Sequence, residues 1–159
     1  TPREYDAAVA DALTPEHRLE PLGQVALGGL GLPRALALDA EGHRLYVAHD
    51  LSPKYGAVTV VDTEAWRVTA ERTGTWARPL AGCGEIAVDV ARGRLVLSYS
   101  GGIAVLDAGT LEIVEDAPRP AGTLRGLALH PSTGDAYLGG AGGGLWRVGP
   151  QLHTMQALP

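Results

Sequence analysis

Arg34-Ala35-Leu36-Ala37-Leu38-Asp39, followed by Glu41-Gly42-His43-Arg44-Leu45-Tyr46-Val47-Ala48, decides the fold, because the chain repeats it. Gly84-Glu85-Ile86-Ala87-Val88-Asp89 leads in the same way into Arg92-Gly93-Arg94-Leu95-Val96-Leu97-Ser98. Arg125-Gly126-Leu127-Ala128-Leu129-His130 leads into Thr133-Gly134-Asp135-Ala136-Tyr137-Leu138-Gly139. Each copy reads as a short apolar strand, a tight turn containing Gly, and a second strand. The Gly at 42, 93 or 134 is expected to supply the positive φ of that turn. Ala37, Ala87 and Ala128 mark equivalent positions, and spacings of roughly 40–50 residues are those of one propeller blade.

Working outward, a third strand follows in every copy: Ala57–Asp62, Ile103–Asp107 and Leu145–Gly149. Asp62 and Asp107 are expected to end their strands by accepting hydrogen bonds from nearby backbone N–H groups. A more charged fourth strand completes the unit: Trp66–Arg72, Leu111–Glu115 and Leu152–Met155. One polar side suits an outermost strand. The expected fold is therefore all-β: a β-propeller segment of about three four-stranded blades, incomplete by itself. The blades are assigned to residues 28–76, 77–118 and 119–159. For residues 1–27 two readings stand: a partial preceding blade with Arg18–Leu27 as its outer strand, or a short helix through Glu4–Leu13, where Ala is dense. A β-sandwich of the same strands is the competing architecture, and the repeat period favours the propeller.

Composition narrows the function classes. The 159 residues carry a net charge of −5, with no basic stripe, which argues against a nucleic-acid partner. No apolar run approaches the roughly 18 residues of a membrane-spanning helix. Phe is missing and Gly occurs 22 times, so the core must be built from aliphatic side chains between many turns. Cys83 is the one cysteine, which excludes an internal disulfide. A buried structural thiol is the expectation for it.

The repeat resembles the YVTN-type β-propeller family. The resemblance is carried by Leu45-Tyr46-Val47 after the Gly turn, Val60-Val61-Asp62-Thr63 closing the third strand, Leu32-Pro33-Arg34-Ala35-Leu36-Ala37 opening a blade, and the turn His130-Pro131-Ser132-Thr133-Gly134. Cys83-Gly84 departs from the pattern, standing where the first blade has Pro33-Arg34. The resemblance implies propellers of cell surfaces, the periplasm and larger multidomain proteins, so an extracytoplasmic setting is favoured. Such families include both interaction modules and enzymes.

Closed propellers typically need about 4–8 blades, so three leave two blade faces uncovered, each expected to be an apolar patch. The chain also opens with Thr1, which reads as a start in mid-blade. The expectation is that missing blades come from a longer chain or from another copy. Function is expected at the axial mouth, where inner strands begin and second and third strands join. Repeat position puts Arg34, Glu85 and Arg125 at the first of these and His49 and Asp50 at the second. The stretch His49–Tyr55 is longer than its counterpart Ser100-Gly101-Gly102 and reads as an irregular loop. His49 and Asp50 suggest half of an acid–base or metal pair, or simply a turn. Glu85 with Arg34 and Arg125 suggests anion binding or orientation of a polar ligand, or charges that keep a channel wet.

No catalytic set, metal site or cofactor is assigned. The five His residues lack paired ligand spacing, and the run Gly139–Gly144 lacks the Lys-Ser/Thr of a phosphate loop. Two functions of different class follow. The first is a scaffold or recognition surface within a larger protein or assembly, contacting protein or ligand. The second is a portion of a lactonase-like or quinoprotein-like propeller enzyme that shares catalytic groups with missing blades.

Overall fold

A computed structural model describes residues 21–28, 31–52, 55–75, 80–118, 124–141 and 143–158. Twelve strands form three four-stranded antiparallel sheets, each a simple meander. The first contains β1 (Leu32–Asp39), β2 (Arg44–Ser52), β3 (Tyr55–Asp62) and β4 (Arg67–Thr75). The second contains β5 (Ile86–Asp89), β6 (Arg94–Tyr99), β7 (Gly102–Asp107) and β8 (Ile113–Pro118). The third contains β9 (Leu124–Leu129), β10 (Ala136–Gly140), β11 (Leu145–Val148) and β12 (Met155–Leu158). Inner strands β1, β5 and β9 stand next to one another, so the sheets fan out from a common line. Pro21–Leu27 forms no strand, which removes that part of the proposed outer strand Arg18–Leu27; residues 1–20, with the alternative helix, lie outside the described residues. A strand needs a hydrogen-bonded neighbour, and among the described residues none pairs with Pro21–Leu27.

Alternation along the strands feeds two interfaces. Tyr46, Ala48, Val58 and Val60 of the first sheet meet Leu95, Leu97, Ala104 and Leu106 of the second. The opposite face of the second sheet sends Val96, Ile103 and Val105 against Ala136, Leu138 and Val148 of the third. Each wholly buried Leu contributes about 1.5–3 kcal/mol from area removed from water, which makes these seams the main source of cohesion. Polar clasps set the alignment. Tyr46 Oη donates to the Ala108 carbonyl at 3.1 Å across the first seam. Across the second, Arg94 donates to the carbonyls of Gly134 at 2.8 Å and of Pro150, while Arg92 reaches the Ser132 carbonyl at 2.7 Å. Asp89 steadies Arg94 with a 3.0 Å contact to its Nε.

Turn chemistry follows the sequence with two corrections. Asp62 Oδ1 accepts from the N–H groups of Glu64 and Ala65 at 2.9 and 2.8 Å, and Asp107 Oδ1 does the same with Gly109 and Thr110. These bonds lower both carboxyl pKa values, because the backbone N–H groups favour the ionised form. The outer strands do not begin at Trp66, Leu111 and Leu152. Those residues sit at φ 50°, 59° and 55°, a left-handed turn position that reverses the chain before the strand can start. Among the first turns, Gly93 and Gly134 take positive φ, but in the first sheet His43 does so in place of Gly42. Gly42 is needed for closeness instead: a Cβ there would lie 2.3 Å from the Asp39 carboxylate that accepts its N–H.

The two end faces are unlike each other. Leu36 and Leu38 on β1 are 60% and 56% exposed, although Val47 and Val61 on the same face are buried. At the other end, the alternation that turns Val148 and Leu138 inward turns Arg147 and Tyr137 outward. Arg147 holds the repeat position of Val60 and Val105 and forks onto Asp135 Oδ2 at 2.6 and 2.9 Å. The expectation of an apolar patch at each end is therefore met in part at the first sheet, by Leu36 and Leu38, and not at the third, where Arg147 stands.

Candidate functional site

A cleft of about 350 Å³ opens where the inner strands begin. It takes Arg34 from β1, Asp50 from the far end of β2, Glu85 from the segment leading into β5, and Arg125 from β9. Four of the five sequence-nominated residues thus line one space, contributed by all three sheets. Formally the set carries two positive and two negative charges. Among the described residues, none of the four side chains joins a salt bridge.

The segment Leu80–Glu85 forms the wall between the first and second sheets. Gly82 N–H donates to the Tyr55 carbonyl at 3.3 Å, and Ser100 N–H donates to the Ala81 carbonyl at 2.9 Å, which stitches the segment to both hairpin ends. Gly56 permits the approach: a Cβ on it would fall 1.8 Å from the Leu80 carbonyl oxygen. Ser98 then places Glu85 at both ends. Its Oγ accepts the Glu85 N–H at 2.9 Å, and its own N–H donates to the Glu85 carbonyl at 2.9 Å. Sequence reasoning passed over Ser98. The available signal was a hydroxyl at the repeat position held by Ala48 and Gly139, an inward place where a polar group must find a partner.

Cys83 lines the same cleft but is not poised to react. Its thiol is buried and donates to the Leu80 carbonyl at 2.9 Å. Burial, followed by the neighbouring Asp50 charge, pushes its pKa up to about 12, so the nucleophilic thiolate is scarce near neutral pH. Tyr99, also on the lining, has its pKa raised by burial and by the Asp116 carboxylate that accepts its hydroxyl at 3.2 Å.

His49 stands apart from the other four. The stretch His49–Tyr55 is not an irregular loop: β2 continues to Ser52 and β3 starts at Tyr55, with Asp50 paired to Leu32 and Gly56. Within a strand, adjacent side chains project to opposite faces, so His49 and Asp50 cannot converge on one proton or one metal ion. His49 is 0% exposed, with Nε2 3.0 Å from Thr59 Oγ1. Its Nδ1 has no hydrogen-bond partner among the described residues. Desolvation lowers its pKa despite a weaker upward pull from the Gly31 backbone. It is a neutral interior residue of the first sheet. His130, in contrast, does serve a turn: its Nδ1 accepts from the N–H groups of Ser132 and Thr133 at 3.3 and 3.2 Å.

Comparison with solved structures settles the architecture. The Dos1 propeller structure matches with a TM-score of 0.60 at 12% identity, covering 80% of this chain and 32% of that one. A chain of the crystal structure of the nidogen/laminin complex matches with a TM-score of 0.60 at 16% identity, covering 82% and 49%. This chain is a β-propeller segment. It spans about a third to a half of the length of those structures, and its three blades do not close a ring. The sequence matches no protein-family model and no curated protein. At such identities the likeness concerns fold alone.

Proposed function

We propose that the chain is a blade array of YVTN type serving as a recognition surface in a larger protein or assembly, with the axial mouth as the contact region for a polar ligand. One observation carries this reading: charged side chains from three separate blades, Arg34, Asp50, Glu85 and Arg125, line a single cleft of small-molecule size. Their positions come from the fold itself, since inner-strand starts and hairpin ends must meet at one end of the array. The cleft is rimmed by a wall that backbone hydrogen bonds hold in place, so it is formed before any ligand arrives.

The reading is tested by thermal unfolding of the full chain against a panel of small polar solutes, in parallel with the variant Arg34→Ala/Arg125→Ala. At least one solute is expected to raise the midpoint of the unaltered chain, by the mass-action effect of binding the folded state alone. The same solute is expected to leave the variant unmoved. A shift that survives in the variant would place recognition somewhere else on the molecule.

A further inference from the structure

The mouth cleft holds charges of both signs, and their arrangement bears on what fits. Arg34, Glu85 and Arg125 come from three successive blades, so in blade order the acidic residue falls between the two basic ones. Asp50 adds a second carboxylate on the side of the first seam, close enough to Cys83 for its charge to act on the thiol. None of these four charges is neutralised by a salt bridge among the described residues. Among the described residues, no salt bridge competes with an incoming group for them.

We infer that this cleft binds a small zwitterion, a molecule of amino-acid size with one carboxylate and one ammonium group. The inference rests on the reading of the mouth as a recognition surface and narrows it. A dianion would satisfy the two guanidinium groups but would face two carboxylates in the same space, and a dication would meet the reverse. A neutral polar molecule would leave all four charges unanswered. A zwitterion alone matches both signs. Its carboxylate suits the planar fork of Arg34 or Arg125, and its ammonium suits Glu85 or Asp50. A volume of about 350 Å³ admits a ligand of that size.

Matched ligands of one length make the test, with titration calorimetry on the full chain. The four are 4-aminobutyrate, succinate, 1,4-diaminobutane and 1,4-butanediol, which differ in charge while sharing a four-carbon span; glycine serves as a shorter zwitterion. One of the two zwitterions is expected to bind about tenfold or more tighter than succinate, the diamine and the diol, the scale of a charge-assisted hydrogen bond gained. Asp50→Asn/Glu85→Gln is expected to invert the order in favour of succinate. Arg34→Gln/Arg125→Gln is expected to invert it in favour of the diamine. A general loss of structure would weaken every ligand together and would not invert any order. Succinate binding the unaltered chain as tightly as the zwitterions would overturn the inference and leave the mouth as a recognition surface. Absence of binding by all five would overturn the inference, leaving the recognition surface to the wider solute panel.

Discussion

The inner strands β5 and β1 are alike in sequence and unlike in surroundings. Ile86 on β5 is 6% exposed, whereas Leu36 and Leu38 on β1 are 60% and 56% exposed. Both strands alternate small and large aliphatic residues, and both pair antiparallel with a second strand, β1 with a register shift between Pro33 and Ala35. The difference comes from neighbours. Among the described residues the second sheet has a neighbouring sheet on each side, while the first has a neighbouring sheet on one. In a stacked array a strand's own residues supply the apolar surface, and the adjoining repeat supplies its burial.

The comparison is broken most directly by truncating one Leu inside a seam and one exposed Leu on β1. Leu106→Ala removes a wholly buried Leu from the first seam and is expected to cost about 2–5 kcal/mol in denaturant unfolding. Leu38→Ala is expected to change stability by less than about 0.5 kcal/mol, because Leu38 is more than half exposed. A large loss at Leu38 would show that a further element lies on that face. Equal losses at both positions in the chain itself would defeat the contrast.

A smaller effect probes how the seam continues to the mouth. Gly56→Ala would force the Leu80 carbonyl away, because the new methyl group falls within bonding distance of it. A loss of roughly 1–3 kcal/mol is expected, as for other overpacked sites. Ligand affinity at the cleft should fall with it, since Leu80–Glu85 forms the wall. Unchanged stability would mean that this wall is slack.

The smallest effect concerns His49 and its repeat counterpart Tyr99. Burial holds the His49 pKa below its ordinary 6.5, so the folded state resists a proton that the unfolded state accepts. Its contribution to stability is complete above about pH 6.5 and declines as pH falls below that value, toward the folded pKa. The unfolding midpoint of the unaltered chain is therefore expected to drop between about pH 7.5 and 5.5, and that of His49→Gln to drop less. Tyr99 sits beside a carboxylate at the cleft and does not titrate in this range. Equal slopes for His49→Gln and the unaltered chain would assign the effect to another group.

Much of the fold was legible because a repeated pattern tests itself. Three occurrences of strand, turn and strand around Ala37, Ala87 and Ala128 outweigh the ambiguity of any one short apolar run. The turn Asp residues could also be read, since a carboxylate closing a turn acts over two or three residues. The outer-strand starts were misplaced because Trp66, Leu111 and Leu152 look like strand formers, and only backbone geometry shows their left-handed φ. His49 was assigned to a loop because hairpin length cannot be judged from residue types alone. Arg147 shows the converse: its departure from Val60 and Val105 was visible in the alignment, but its meaning depended on which face it occupies.

By itself the sequence determined the number of sheets, their meander, and the small set of charged residues at one end of the repeat. These follow from local preferences and periodicity, which are properties of contiguous residues. Tertiary structure alone decided that Arg34, Asp50, Glu85 and Arg125 share a cleft while His49 faces the interior, and that the two end faces differ. Those outcomes depend on which sheet lies against which, and on the side to which each strand's alternation is turned.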